Sequence, residues 1–303
     1  MKKTFAAATG LPALILSMVI WGTVGIFRRY IPLPSGLIAL ARGGIGTLFL
    51  VFMMLIGKKK PQFALLRKHL IPLLLSGAFL GANWILFFES YNEATAGHTG
   101  VAVATVCYYM APLIVTLLAP WVLGEKWTLK KTLCLAVAFG GMVLVSAPWR
   151  EENSAQLRGM LLALGAAVLY AWIVLLNKRM AEVPPLDRTV AQLGISAVVL
   201  LPYTLLFESW EPSDFTPSAV ICLIVIGLLH TGIAYALYFG SIGTLKAQTA
   251  ALCSYIDPAL AILLSAVFLR EPIGILGALG AALVIGAALV GEISFRRKKT
   301  ELS

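Results

Sequence analysis

Asp257 differs from the other acidic residues of this sequence in its position. Of fourteen aspartates and glutamates, twelve lie in polar connecting segments or at the ends of apolar segments, and Glu89 is near such an end. Asp257 instead lies about eleven residues inside the apolar segment 246–269, roughly 16 Å along a helix. At that depth in a membrane helix a carboxylate costs ~2.5–3.5 kcal/mol, so we expect it to face protein or a water-filled cavity. We predict a site for a proton or a substrate ammonium group; the alternative is a structural partner of the helix break at Pro258.

Other polar residues also lie inside apolar segments. Arg42 is about seven residues inside the segment 35–56, where it either binds carboxylate groups in a cavity or extends to lipid phosphates. His230 lies near the middle of the segment 218–240. We take it as a binding candidate, with hydrogen-bonded packing as the alternative. Asn83 shares one helix face with Phe87 through i, i+4 spacing.

Aromatic residues accompany these polar groups and could line a cavity for an amphipathic organic solute or a cation. Tryptophan and tyrosine also collect at membrane interfaces, which better explains Trp121, Trp127 and Trp149. Core packing is the alternative for the aromatic residues in the middle of a segment. The predicted substrate-binding residues are Trp21, Arg42, Asn83, Trp84, Tyr108, Tyr109, Tyr170, His230, Tyr235 and Tyr238.

Glu125 and Glu271 resemble a catalytic pair, but each stands directly before an apolar segment, and Pro272 suits the first position of a helix. We predict that both carboxylates cap helix N-termini by accepting hydrogen bonds from free backbone amides. The four cysteines lie within apolar segments and the three histidines are scattered. We therefore expect no metal site, no cofactor and no catalytic cluster, and the sequence does not predict an enzyme.

The elements that must position these residues are long apolar segments. The chain is 59% hydrophobic and 13% charged, outside the usual range of soluble domains. Most of the segments approach the ~20 residues that a helix needs to cross a bilayer, and strand alternation is absent. We predict an all-α membrane protein with ten transmembrane helices. They cover residues 11–27, 35–56, 70–90, 98–120, 131–148, 157–177, 189–207, 218–240, 246–269 and 273–293.

The two halves of the chain repeat one pattern. Tyr109, Pro112 and Glu125 recur 146 residues later as Tyr255, Pro258 and Glu271, and earlier matches have a spacing of 149 or 150. Each half holds five apolar segments, an odd number, so the second copy must enter the membrane from the opposite side. We predict inverted five-helix repeats over residues 1–150 and 151–295, followed by a basic cytoplasmic tail over 296–303. Inverted repeats are typical of transporters, in which related halves open a shared site to either side.

Basic residues indicate the orientation. With the N-terminus inside, cytoplasmic segments receive 18 of the 24 lysines and arginines and the opposite side receives five. The excess of positive charge predicts that both termini are cytoplasmic. The basic residues are distributed from loop to loop rather than on one surface with aromatic platforms, so we expect no nucleic-acid partner despite the net charge of +10.

The doubled motif resembles the drug/metabolite transporter superfamily, specifically its EamA-type ten-helix exporters. The resemblance rests on YxxPLIVTLLAPWVLGE at 109–125 and YIDPALAILLSAVFLRE at 255–271, together with ALAR at 39–42 and GIAYALYF at 232–239. It implies a central cavity lined by helices one to four and six to nine, with helices five and ten at the periphery. Members carry amino acids, other metabolites, sugars linked to nucleotides, and drugs, so the resemblance does not imply one substrate.

We therefore expect a multi-pass protein of a bacterial inner membrane that exports a small organic metabolite, an amino acid or similar, by alternating access. Its partners would be that solute, the lipid bilayer and, with Asp257 as the coupling residue, protons. Drug efflux or metabolite uptake by the same fold is the alternative. A channel or facilitator is less favoured; a channel would need a continuous pore, and a purely structural protein would not need an acid at mid-membrane.

Overall fold

The computed structural model describes residues 10–28, 30–95, 106–146, 157–260, 264 and 275–300. Within these ranges the chain forms helices joined by short connections, and it contains no strand. The α-helices are α1 (Leu11–Gly22), α2 (Val24–Arg28), α3 (Ser35–Ile56), α4 (Phe63–Lys68), α5 (Leu70–Thr95), α6 (Ala111–Leu123), α7 (Leu129–Ser146), α8 (Leu157–Arg179), α9 (Pro185–Phe207), α10 (Pro217–Val225), α11 (Ala234–Ile242), α12 (Ala247–Cys253) and α13 (Ile275–Thr300). A π-helix, Ile226–Ile233, joins α10 to α11, and a 3₁₀ turn, Pro212–Asp214, precedes α10.

Seven helical stretches in the described ranges are long and apolar enough to cross a membrane. They are Leu11–Arg28, Ser35–Ile56, Leu70–Ser90, Val106–Leu123, Arg158–Arg179, Pro185–Phe207 and Pro217–Ile242, and Ile275–Val290 is a shorter apolar helix. The chain is thus an all-helical membrane protein. The predicted segments 98–120, 131–148, 246–269 and 273–293 each extend beyond the described residues, and the boundary at 150 lies outside them, so the count of ten stays a prediction. The last helix includes residues 296–300 of the predicted tail.

Proline and glycine set several helix ends. Pro185 begins α9 and Pro217 begins α10, positions at which a backbone amide has no partner within the helix. The side chain of Thr216 accepts a hydrogen bond from the amide of Ala219 and so caps α10. At the other end of a helix, Gly124 follows α6 with φ of 66°, a left-handed conformation that glycine adopts without strain.

Helix α3 packs antiparallel against α9, and acidic side chains join their ends. The Glu208 carboxylate, just after α9, accepts hydrogen bonds from the amides of Gly36 and Leu37, both at 2.7 Å. At the opposite ends, Asp187 of α9 accepts a hydrogen bond from the amide of Gln62 at 2.8 Å. Each carboxylate thus satisfies free amides at the start of a helix.

The other helices also pack in defined pairs, α5 with α8, α1 with α11, and α7 with α13. The α7–α13 contact is close: a Cβ added to Gly141 would lie 2.7 Å from the carbonyl oxygen of Gly280. Small residues permit such an approach between membrane helices. Large apolar side chains such as Leu48 and Leu55, each 71% exposed, point outward, as expected of a surface that faces lipid.

Two irregular stretches meet beside the centre of the bundle. The first span bends at Thr23, between α1 and α2, and the eighth contains the π-helix. The Thr23 hydroxyl lies 2.9 Å from Nε2 of His230, within that π-helix. A Cβ on Gly227 would lie 2.5 Å from Ile45, so α3 approaches the π-helix closely. π-Helical turns within α-helices are frequent at functional sites.

Candidate functional site

A cavity of about 280 Å³ lies between the helices of both halves of the chain. Residues from the first, second, third, fourth, sixth, eighth and ninth predicted spans line it, and most of their side chains are aromatic or apolar. None of its lining residues comes from α7 or α13. The lining residues are Met18, Trp21, Val24, Arg42, Trp84, Phe87, Phe88, Tyr108, Tyr109, Ala111, Pro112, Tyr170, Tyr235, Ser254 and Asp257.

Arg42 brings a cationic group to this cavity. Its Nε donates a hydrogen bond to the Thr231 hydroxyl at 2.9 Å, and the guanidinium carbon lies 4.8 Å from the centre of the Trp84 ring. The Thr231 hydroxyl in turn donates to the carbonyl of Ile226 at 3.1 Å. These contacts hold the guanidinium against an aromatic face inside the bundle, in a cation–π arrangement.

Aromatic rings in mutual contact line the rest of the cavity. Trp21 and Tyr235 meet edge to face with ring centres 4.9 Å apart, and Trp84 meets Tyr235 at 5.9 Å. Phe87 and Tyr108 lie 4.2 Å apart. Because each ring contacts another, the surface offered to a solute is rigid as well as apolar.

Asp257 is the acidic residue of the cavity. It follows a turn at residues 254–255, after which the chain is again helical over 256–260. The Tyr109 hydroxyl lies 3.5 Å from Oδ2 of Asp257, and the backbone carbonyl of Tyr109 accepts a hydrogen bond from the Tyr255 hydroxyl at 2.8 Å. The irregular backbone before Pro258 thus places the carboxyl group beside a tyrosine from the other half of the chain.

Three predicted binding residues lie behind the cavity surface. Asn83 is buried and donates a hydrogen bond to the carbonyl of Ala166 at 2.7 Å. His230 is also buried, and its backbone carbonyl accepts a hydrogen bond from the Trp21 indole at 2.7 Å. Tyr238 is fully buried and accepts a hydrogen bond from the Tyr170 hydroxyl. These residues can act on a solute by positioning the side chains that line the cavity.

The cavity gathers the other seven predicted binding residues and Asp257. Sequence reasoning missed several of the lining residues, and the repeat offered a signal for two of them. Ser254 and Ala111 stand 146 residues from Tyr108 and Asp257 respectively, so each occupies the equivalent position in the other half. The residues missed as binding candidates are Met18, Val24, Phe88, Ala111, Pro112 and Ser254.

Glu125 binds a helix N-terminus distant in sequence. Its carboxylate accepts hydrogen bonds from the amide of Ala247, the first residue of α12, at 3.0 and 3.1 Å. It also forms an ion pair with Lys178 at 2.9 Å. The helix that it caps is therefore α12, 122 residues away, whereas the sequence analysis placed it at the start of the span that directly follows it. Glu271 lies outside the described residues.

Arg188 directly precedes the predicted segment 189–207, but the structure places it in the first turns of α9, where it is buried. Its guanidinium donates hydrogen bonds to the carbonyls of Asn177 at 2.9 Å, Met180 at 2.7 Å and Phe239. Basic side chains stabilise helix C-termini by binding free carbonyls in this way. No pattern of residue types indicates this role, because all three acceptors are backbone atoms.

The chain matches the model of the EamA-like transporter family over residues 8–147 and 157–291. It is 30% identical over 263 residues to the uncharacterized transporter YxxF of Bacillus subtilis (strain 168), covering 86% of this chain and 82% of the relative. A second relative, YoaV of the same organism, is 25% identical over 286 residues, covering 93% and 96%.

A solved crystal structure has the same fold, with a TM-score of 0.82, 19% identity and coverage of 97% of this chain and 100% of that one. The family match confirms the prediction made from the doubled motif. With seven apolar helices and transporter relatives from bacteria, the chain is a multi-pass inner-membrane protein. It belongs to the EamA-like transporter family.

Proposed function

We propose that this membrane transporter exports a small organic metabolite by alternating access through the central cavity. The observation that carries the proposal is the cavity itself, which takes lining residues from both halves of the chain and places Arg42 and Asp257 among aromatic rings. A site shared by two related halves can open to either side when the halves move relative to one another.

We further propose that the chain has ten spans in two inverted repeats, with both termini in the cytoplasm. The antiparallel packing of α3 on α9 supports this, because these helices are equivalent in the two copies and an inverted relation requires them to run in opposite directions. The packed pairs α5–α8 and α1–α11 support it as well. Helix α5, in the third span, corresponds to α11 in the eighth, and α8, the sixth span, corresponds to α1 in the first. The two pairs are therefore equivalent contacts between the repeats. The distribution of basic residues supports the orientation.

Contacts between the halves join one end of the bundle. Glu125 binds the start of α12 and Lys178, and Arg179 donates to the carbonyl of Val122 at 2.9 Å. The charge distribution assigns this end to the cytoplasm. We propose that these contacts close the cytoplasmic side in this conformation and must separate during each transport cycle.

Within the site, the rings bind the apolar part of the solute, Arg42 and Asp257 bind its polar parts or a proton, and Asn83, His230 and Tyr238 position the lining. Efflux of drugs or uptake of metabolites would use the same site. A channel is a weaker candidate, because the described cytoplasmic end is joined by hydrogen bonds and an ion pair rather than open.

The proposal is tested first by profiling metabolites in the medium of cells that contain or lack the gene. The compound whose release depends on the gene is then used with purified protein in liposomes. We expect counterflow: labelled compound outside should accumulate transiently when unlabelled compound is enclosed, and protein-free liposomes should show none. A channel conducts without counterflow. Conduction of the gene-dependent compound without counterflow would contradict alternating access.

A further inference from the structure

Arg42 has no acidic partner among the described residues. Ion pairs in that part of the chain include those of Glu182 with Lys68 and His69 and of Glu125 with Lys178, and none of these involves Arg42. The one acceptor for the Arg42 guanidinium is the neutral hydroxyl of Thr231, bound through Nε. The guanidinium lies over the Trp84 ring at the edge of the cavity. Its two terminal nitrogens can together donate a pair of hydrogen bonds to one carboxylate.

The repeat indicates that packing does not require this charge. Arg42 and Gln192 have the same sequence spacing as Gly77 and Gly227, so Gln192 is its counterpart in the second copy. Gln192 is buried and donates a hydrogen bond to the Ser76 hydroxyl at 2.6 Å. An equivalent contact between helices is thus made by a neutral amide. A cation inside the bundle without a counterion is costly, so its presence on the cavity side indicates a ligand that supplies the negative charge.

The surroundings of Arg42 restrict the kind of anion. A phosphate monoester carries close to two negative charges and is usually bound by several cations or amides, whereas Arg42 is the single basic side chain among the lining residues. The remaining surface is dominated by aromatic rings, which suit the apolar body of an organic solute. An anion with one charge and an apolar body matches both features.

We propose that the transported solute is a small monocarboxylate with an apolar body. Its carboxylate pairs with the terminal nitrogens of Arg42, and its body lies against Trp21, Trp84 and Tyr235. The proposal rests on the transport function proposed above and assigns its substrate class. Because Asp257 shares the cavity, its ionised form repels such a solute and its neutral form does not.

Binding to the purified full chain in detergent tests the substrate class without transport. Tryptophan fluorescence is titrated with 3-phenylpropionate, with the neutral isostere 3-phenylpropanamide and with the cation 3-phenylpropylamine. We expect the carboxylate to bind at least about tenfold more tightly than the amide and the amine, because a bidentate charge-assisted pair is lost in both.

Variants locate the effect at Arg42. Arg42→Gln should remove the preference for the carboxylate over the amide, and Arg42→Lys should keep part of it. Arg67→Gln, the same change at an exposed position, should leave it unaltered. Asp257→Asn should keep or increase the preference, because it removes a negative charge from the cavity. Each variant is first checked for an unchanged melting temperature. If Arg42→Gln fails this check, the loss of preference must appear in Arg42→Met to support the proposal.

Two results would overturn the inference. One is tighter binding of the amine, lost in Asp257→Asn and kept in Arg42→Gln, which would assign a cationic substrate to the same cavity. The other is no fluorescence change with any of the three probes. Counterflow of the gene-dependent compound is measured separately, so the transport proposal stands or fails independently of either result.

Discussion

The Tyr255 hydroxyl donates a hydrogen bond to the backbone carbonyl of Tyr109, its counterpart 146 residues earlier, across 2.8 Å. The two equivalent tyrosines therefore make different contacts. Tyr109 points its hydroxyl toward Asp257, at 3.5 Å, whereas Tyr255 is fully buried and joins the two halves. The repeat therefore supplies equivalent backbone positions, and local differences in side chains make the centre of the cavity asymmetric.

Tyr255→Phe removes the hydrogen bond to Tyr109 and leaves a carbonyl without that donor. We expect a loss of stability of ~1 kcal/mol, in the usual range for a hydrogen bond between membrane helices. Thermal unfolding of the detergent-solubilised protein measures it. Tyr30→Phe, at a residue that is 56% exposed, is the control and should not change the melting temperature. Equal melting temperatures for Tyr255→Phe and the parent would show that the bond does not hold the halves together.

The extents of several helices were predictable because hydrophobicity and helix breakers act locally. The apolar run 35–56 is bounded by Pro34 and Gly57 in the sequence, and α3 covers the same residues. The interruption at Thr23 and the π-helix Ile226–Ile233 were not predictable. Both occur where α1, α3 and the eighth span meet, so they depend on contacts between distant segments rather than on the local apolar pattern.

Some residues of the candidate site were likewise predictable from the sequence and others were not. Polarity and depth singled out Arg42 and Asp257, because a charge in a membrane helix is costly wherever it points. Hydrophobic pattern did not separate Trp84, which lines the cavity, from Asn83, which bonds to Ala166 behind it. Adjacent helical residues differ in direction by about 100°, so only one of the two can face the cavity. Which one does so depends on contacts with another helix, such as the bond from Asn83 to Ala166.

Trp84 and Trp121 provide a matched pair for testing the cavity. Trp84 is 5% exposed and contacts Arg42, whereas Trp121 is 77% exposed on the outer surface. We expect Trp84→Ala to lower the transport rate of the gene-dependent compound by at least about tenfold, because a buried aromatic contact and the support of Arg42 are both lost. Trp121→Ala should transport at the rate of the parent. Equal rates for both variants, at equal amounts in the membrane, would assign Trp84 to packing alone.

The ion pair between Glu125 and Lys178 is mostly buried, with 13% and 15% of the side chains exposed. We expect Glu125→Gln and Lys178→Gln to be coupled by about 1 kcal/mol in a double-mutant cycle, since each removes the same contact. Thermal unfolding of the four proteins measures the coupling. The pair Lys68 and Glu182, exposed by 61% and 47%, is the comparison and should show weaker coupling. Additive effects at Glu125 and Lys178 would indicate that the ion pair does not help to hold the two halves of the chain together at this end of the bundle.

The proposed orientation can be tested by labelling from outside the cell. Single cysteines are placed in a background without Cys107, Cys134, Cys222 and Cys253. Positions 211–215, in the connection before α10, should react with a membrane-impermeant reagent, as should 93–98. Positions 58–60 and 181–182, which are exposed, should react only after the membrane is made permeable. Labelling of intact cells at position 59 would reverse the orientation, and with it the assignment of the Glu125 end to the cytoplasm.

Asp257→Asn should abolish the coupling of transport to a proton gradient without abolishing transport itself. The amide keeps the size of the carboxyl group and can still accept a hydrogen bond from Tyr109. It cannot bind a proton when the cavity is open to one side of the membrane and release it when the cavity is open to the other. We therefore expect the variant to retain counterflow of the gene-dependent compound and to lose accumulation driven by an imposed pH gradient. Asp214→Asn, the same change in the connection before α10, should retain both activities. Accumulation by Asp257→Asn at the parent's rate under the pH gradient would leave Asp257 as a partner of Tyr109 and the Pro258 break, without a part in coupling.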